Sequence, residues 1–311
     1  LSTMSKPPRL KLQFFIHVHK NASQKSWILR IEKRRPVCYI SIRKGESDVQ
    51  IRHPTQEVID RFPTIDGGTY TYADWEKEGK DIFALWENRD KRFYATIVYQ
   101  GVTYFNTVME LNENAQNDYA YGKNVGSKTG YYSRKAIDES LSVTDCQKSG
   151  TDYIDIRLAE VMLNYAEAVF ERDGQISDED LAISLNLTRK RINPEMPDLT
   201  NDFVTANNLD MRTEIRRERT IEFFDENFRI DDLKRWKTAE DEMPMNLTGV
   251  KWKGTDFENR WPDASFKEKD GEGCIIHEKG RNWHEKHYLL PLPTDQLKLN
   301  SNLKQNPGWN Q

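Results

Sequence analysis

The sequence predicts a mainly α-helical protein with long loops and minor β elements. Three observations carry that prediction. Asp152–Arg172 repeats apolar residues at helical spacing, Met211–Trp236 does so with charge mixed into the stripe, and residues 112–135 are rich in Asn, Gly and Tyr. Periods near 3.6 mark helices, and polar stretches with Gly mark loops. At 311 residues, 37% hydrophobic and 31% charged, the chain can bury a sizeable core as one large domain or two smaller ones. It contains no apolar run long enough to span a bilayer.

The elements follow in chain order. Residues 26–43 alternate loosely around Arg34-Arg35-Pro36, the pattern of a hairpin. Pro54–Phe62 places Val58, Ile59 and Phe62 on one face of a short helix, ended by Asp66-Gly67-Gly68. Residues 69–87 carry a cluster of aromatics. Asn88–Gly101 then reads as a polar turn followed by a strand over Phe93–Tyr99, where β-branched and aromatic residues concentrate.

The helix over Asp152–Arg172 has the stripe Leu158, Val161, Met162, Tyr165, Ala168 and Val169, and Gly174 stops it. Ser177 caps a second helix, Glu179–Ile192, which turns Leu181, Leu185 and Ile192 inward and ends before Pro194. Together they form an αα-hairpin close in length to a tetratricopeptide unit, in one visible copy. Residues 244–287 read as irregular, with scattered Trp252, Trp261 and Trp283. The end, from His287, holds a Pro-bracketed extended stretch, a short helix and an Asn/Pro-rich tail.

Charge is unevenly placed. The net of −4 divides into +10 over residues 1–44 and −14 over the rest. A basic arm can serve nucleic acid or an anionic membrane, but this one has no recognition motif and no helical spacing. Cys38, Cys146 and Cys274 are too scattered for a metal site or a disulfide framework.

Met211–Trp236 holds seven basic and seven acidic residues and no Gly or Pro. Ile221, Phe224 and Phe228 make one helical face, which runs backwards into Arg217 and Glu214. An ordinary surface helix keeps charge off its apolar stripe. Some of these ions are therefore paired and partly buried. Glu214, Arg217, Glu218 and Arg219 are the candidates for a structural network tying this helix to the hairpin of 153–192 and to the tail of 288–309.

The chemical motifs are weak. Glu171–Asp180 resembles a calcium loop only until Val169 falls on the first ligand position. His284 and His287 are spaced one residue short of a zinc-protease pair, and His17 with His19 lacks a third ligand. There is no Gly-rich phosphate loop and no Ser in a nucleophile elbow. The residues point to no metal, cofactor or catalytic group. Tyr70, Tyr72, Trp75 and Trp86, beside Gly67-Gly68, keep no clean helical period. Exposed on loops they would form a platform for sugar rings or peptide side chains; buried, they would be core anchors.

In this order, Pro54–Phe62, Asn88–Gly101, Thr129–Ser140, Tyr153–Glu171, Glu214–Trp236 and Tyr288–Trp309 resemble the C-terminal half of the SusD/RagB family. The resemblance covers about 255 of 311 residues. It implies a tetratricopeptide-like helical scaffold whose loops and small strands carry a ligand site. It further implies a non-catalytic lipoprotein of the Bacteroidetes outer membrane. Such a protein captures an oligosaccharide or peptide and delivers it to a SusC-like TonB-dependent transporter, without nucleic acid. Residues 1–50 stand unassigned; 51–311 form the family-like region, split into a loop-rich ligand side (51–150) and a helical part (151–311). The family's lipoprotein signal and N-terminal helices have no counterpart in the sequence, so the scaffold is expected to be N-terminally incomplete. The competing readings are a purely structural fragment and a glycan hydrolase with its site in 244–287.

Overall fold

In the computed structural model the described residues are 53–70, 72–78, 81–110, 127–135, 137–140, 154 and 156–309. The hairpin expected at 26–43, the paired His17 and His19, and Cys38 and Cys146 lie outside them.

Two large cores organise the described part. The first begins with helix α1 (Gln56–Arg61), helix α2 (Tyr72–Glu78) and a 3₁₀ turn at Ile82–Trp86. It continues through helix α3 (Lys91–Thr96) into strand β1 (Ile97–Val98). A small hairpin, β2 (Thr103–Tyr104) with β3 (Thr107–Val108), follows, and β4 (Tyr132–Ser133) returns to pair antiparallel with β1. The strand expected over Phe93–Tyr99 is thus mostly helix. Asp90 accepts from the Arg92 backbone N–H at 2.8 Å and caps α3, which overrides the strand preference of the aromatics.

The second core belongs to the helices. Helix α4 (Leu158–Asp173) ends at Gly174, whose left-handed φ of 69° lets its N–H reach the Phe170 carbonyl. Ser177 Oγ accepts from the Asp180 N–H at 3.0 Å and starts α5 (Asp178–Ala182). The second helix of the hairpin is broken, because α6 (Leu185–Arg189) starts afresh after Ser184. Ser184 donates its hydroxyl to the Asp180 carbonyl at 2.5 Å, a back-bond that bends a helix. Leu181 and Leu185 point inward, while Ile192 is only half-buried.

The buried face of α4 differs from the expected stripe. Leu163, Ala166, Glu167, Val169 and Phe170 face the core, while Val161, Tyr165 and Ala168 face out. The cause is Glu167, a charged residue on the inner face. It is bound by Arg235 (2.7 Å at the second oxygen) and by the Trp236 indole N–H at 2.6 Å.

Helix α7 (Asn201–Ala206) leads to α8 (Met211–Glu222) and α9 (Arg229–Trp236). The stretch Met211–Trp236 is therefore two helices. Asp225 and Asn227 take φ of 61° and 67° between them, a left-handed conformation that Asp and Asn tolerate best among non-glycine residues. Phe224 and Phe228 sit on this turn and do not continue the α8 face. Helix α4 packs on both α8 and α6, and α1 packs on α8 and joins the two halves.

Residues 244–287 are more regular than their composition suggests. After α10 (Ala239–Glu242) comes strand β5 (Leu247–Lys251). It pairs antiparallel, with register shifts, with β6 (Cys274–Glu278). Helix α11 (Phe257–Arg260) and a 3₁₀ turn lie between them, and Trp261, Val250 and Ile275 join the first core. The last helix is α12 (Thr294–Leu299). The extended stretch before it pairs with no described strand. Gln305 holds Leu292 instead, accepting from its N–H at 2.7 Å and donating to its carbonyl at 3.0 Å.

Candidate ligand-binding site

The predicted aromatic platform lies inside the molecule. Trp75 is 7% exposed and Trp86 is 2% exposed. Trp75 donates its N–H to the Asp81 carbonyl at 2.7 Å. Trp86 is walled in by Phe83, Tyr99, Tyr131 and Phe257, with ring centroids 5.2–6.3 Å away. Tyr70 packs half-buried on the same core with its hydroxyl on Glu78 at 2.5 Å. Burial and Glu78 push that hydroxyl's pKa to about 12. Tyr72 falls on α2, and its side chain lies outside the described set. The faces of Trp75 and Trp86 are therefore not open to a sugar ring, and the platform reading is corrected to core anchors.

Glu214, Arg217, Glu218 and Arg219 are each 8% exposed or less. Arg217 pairs with Glu214 at 2.5 Å, and Arg219 with Asp232 at 2.8 Å. Arg219 also donates to Asn164 on α4 at 2.7 Å. Glu218 is held by Arg92, and Arg189 lies 3.5 Å from it. The partners of the four lie on the hairpin, on residues 67 and 92, and on α9, and not in the tail of 288–309. Arg92 was not legible as their centre. It is 3% exposed and also binds Asp90 at 2.6 Å and Glu222 at 3.3 Å. Glu218 and Glu222 stand more than 120 residues downstream of it, a distance no local spacing encodes.

Beyond Arg92, Glu222 collects Arg157 and, at 3.0 Å, Arg191. Burial opposes the charge on Glu222, but Arg157, Arg191, Arg92 and Lys135 outweigh it and hold its carboxyl below the usual 4.5. Glu167 is held low likewise: burial is outweighed by Arg235 and Trp236. Both carboxylates bind protons less tightly folded than unfolded. Their stabilisation is present above about pH 4.5 and is lost as the pH falls through the lower folded values. Glu214 and Asp60 have the opposite sign, because burial raises Glu214 despite Arg217 and raises Asp60 to about 6 despite Gln56 and Arg89. Asp66 and Asp210, held low by hydrogen bonds from Thr64 and Thr213, side with Glu222 and Glu167. The urea midpoint should therefore rise slightly as the pH falls through about 6, where Asp60 takes up its proton, and fall below about pH 4.5. A midpoint that went on rising below about pH 4.5 would mean that Asp60 and Glu214 dominate.

Two concavities lined by described residues bear on a ligand site. One, of about 310 Å³, lies between the start of α1 and the α8–α9 turn. Its groups are largely engaged. Phe223 lies under both Arg157 (4.7 Å) and Arg219 (4.9 Å), Asp225 takes the Ser133 hydroxyl at 2.7 Å, and Arg229 pairs with Glu242. It offers little free polar chemistry to a ligand.

The other is a groove of about 730 Å³ along the tail, lined by Pro291, Leu292, Pro293, Thr294, Leu297 and Trp309 with Lys286, Gln305 and Gly308. That volume falls in the range of small-molecule sites, about 300–1,000 Å³. The local sequence builds it rigidly. Besides the Gln305 clamp on Leu292, Asn306 donates to the Leu290 carbonyl at 2.6 Å. The Trp309 N–H is shared by the Lys286 and Leu289 carbonyls, each at 3.0 Å. Gly308 has φ of 79°, and a Cβ there would meet Lys286 Cβ at 2.7 Å, so only glycine closes this turn without strain. Trp309 is half-buried and Thr294 is exposed. An indole with hydroxyl and ammonium groups beside it suits a ligand that is apolar on one face and polar at its edge. The expected link of this tail to ligand chemistry was not drawn from the sequence, where Trp309 read only as part of a closing Asn/Pro-rich segment.

The His284 and His287 rings meet edge to face with centroids 5.4 Å apart, and the His284 backbone N–H donates to His287 Nδ1 at 3.1 Å. Among the described residues no group of His, Cys, Asp and Glu is placed to hold a metal ion, and no helix is long and apolar enough to cross a membrane. Cys274 is buried on β6.

Comparisons with known proteins agree with this architecture. A SusD-like carbohydrate-binding protein from Bacteroides fragilis matches over 81% of this chain and 48% of its own, with 26% identity and a TM-score of 0.66. A SusD-like protein from the same organism matches over 83% of this chain and 47% of its own, with 31% identity and a TM-score of 0.60. The chain thus spans about half the length of these solved structures. Curated proteins give no match. The profile of the SusD family covers residues 41–309, beginning inside the segment that stood unassigned. This chain belongs to the SusD family, with the family's mainly helical, tetratricopeptide-like fold.

Proposed function

We propose that the protein captures an oligosaccharide without cleaving it, and hands it to a SusC-like TonB-dependent transporter at the outer-membrane surface of a Bacteroidetes cell. The observation that carries the reading is its family: the SusD profile spans most of the chain, and a structural relative is described as carbohydrate-binding. The groove at Trp309 is the place where the geometry best accommodates a saccharide. The ring supplies a flat apolar face, and Thr294 and Lys286 supply polar groups at its margin.

The reading contains no catalytic step. Buried carboxylates are engaged with arginines in the ion network, which leaves them unsuited to act as a general acid and base pair. Glu285 on the turn before the groove is exposed.

The test is a glycan panel with the wild-type chain and Trp309→Ala. Saturable binding should appear for at least one oligosaccharide. The substitution should weaken it about tenfold or more, roughly 1.4 kcal/mol. Trp309→Phe controls for the tail, since it keeps a ring but loses the clamp on Lys286 and Leu289. Full affinity in Trp309→Ala would move the site away from the groove. Transporter delivery is checked separately, by co-purification with a SusC-like transporter from the source cell.

A further inference from the structure

We infer that the groove is built for an acidic saccharide, one whose rings carry carboxylate or sulfate groups; this rests on the capture reading above and names its ligand class. The chain as a whole carries a net charge of −4, yet the surroundings of the groove are positive. Lys286 lines the groove, with its Nζ 4.6 Å from the centre of the Trp309 ring. His287 lies 5.8 Å from the same indole, and Trp283 and Tyr288 continue the ring cluster at 5.4 and 5.2 Å. Lys237, at the end of α9, places its Nζ 3.7 Å from the centre of the Tyr288 ring. His284 meets His287 edge to face.

Among the described residues none of Lys237, Lys286, His284 or His287 is in an ion pair with a carboxylate. The acids of the tail do not cancel them. Asp295 lies 3.7 Å from Lys298, and Glu285 points to solvent on its own. The contrast with the rest of the molecule is sharp. In the ion network nearly every arginine has a carboxylate within about 3 Å; here the basic groups rest on aromatic faces. The positive neighbours are felt at the site itself. Residual burial together with His284, Lys286 and Lys234 holds His287 below the ordinary imidazole value.

A cation seated on a ring keeps its outer hydrogen-bonding directions available. A sugar stacked on Trp309 would bring its ring substituents against Lys286, and an anionic substituent there would find an unpaired ammonium. A neutral sugar would leave that charge unused. Lys237, on the Tyr288 side, would favour a further acidic unit along the chain and speed encounter at low salt.

Matched probes separate this from the capture reading. Trigalacturonate and its fully methyl-esterified form share one backbone, the ester replacing each charge by a methyl group; a chondroitin sulfate tetrasaccharide and its desulfated form give a second pair. Binding is followed by calorimetry and by Trp fluorescence. The charged member of at least one pair should bind about tenfold or more tightly at about 0.05 M salt and lose that advantage near 1 M, where screening acts within about 3 Å. Lys286→Met and Lys237→Met should each reduce the preference, and Lys237→Met, outside the groove lining, should do so while leaving affinity for the uncharged member and the thermal melt unchanged. Equal binding of both members of each pair, indifferent to salt and to these substitutions, would overturn the inference and leave capture standing. A neutral glycan from the panel bound at Trp309, with neither charged probe bound, would do the same. Binding of no saccharide by a chain with an intact melt would overturn both.

Discussion

Arg92→Met should destabilise the protein by about 3–5 kcal/mol, the usual cost of removing one partner from a buried ion cluster. The methionine fills most of the arginine's volume, so packing changes little. What changes is charge. Asp90 is fully buried, and Glu218 and Glu222 are 1–2% exposed. Glu222 keeps Arg157 and Arg191, but Glu218 is left with Arg189 at 3.5 Å. Asp90 is left with the Asn193 amide at 2.5 Å and the Arg92 backbone N–H. Arg92 answers in kind: burial weakens its hold on the proton, yet Glu218 and Asp90 hold it above the ordinary arginine value. Arg217→Met should cost less. The carboxylate it abandons, Glu214, already has a raised pKa and can take up a proton in place of a partner. Urea denaturation of the two variants compares them directly. Equal losses would mean that the charges behave as one delocalised cluster without a centre.

Trp86→Ala should cost about 3–5 kcal/mol through lost burial and the cavity left behind. The indole touches four aromatic rings and donates to the Tyr131 hydroxyl at 3.3 Å. It is the point where residues 82–99, the 127–133 loop and α11 meet. Against a typical total stability of about 5–15 kcal/mol, either this variant or Arg92→Met removes a large share. The outcome also separates two roles for one residue. A core anchor loses stability and keeps ligand affinity in the folded fraction; a binding platform loses affinity and keeps stability. Thermal melts beside calorimetry on Trp86→Ala report both.

Local signals in the sequence were dependable where the physics is local. Gly174 stops α4 and Ser177 caps α5 because both act on backbone groups within a turn. Charge inside the apolar stripe at Glu214 and Arg217 correctly implied burial, since no surface helix needs that pattern. Failures came where a distant partner decides. Glu167 turned α4 by supplying an inward anion for Arg235 and Trp236, which reversed the exposure of Val161 and Tyr165. Asp225 and Asn227 broke a helix without Gly or Pro. Arg92 looked like one charge in a polar turn, and its partners lie in α8. The segment of Trp75 and Trp86 left platform and core anchor both open, because an aromatic core built from turns and short helices has no period to show. The groove at Trp309 depends on backbone clamps by Gln305 and Asn306, and such side-chain-to-backbone bonds leave no spacing to read.

Capture without turnover at the tail groove can be tested in a single set of samples. The most direct measurement pairs calorimetry of the wild-type chain with chromatography of the same samples after prolonged incubation, across neutral and acidic oligosaccharides. The prediction is saturable heat from at least one saccharide, recovered at its original length, and loss of that heat in Trp309→Ala while the melt persists. Shortened products formed by the wild-type chain, or undiminished binding in Trp309→Ala, would contradict it.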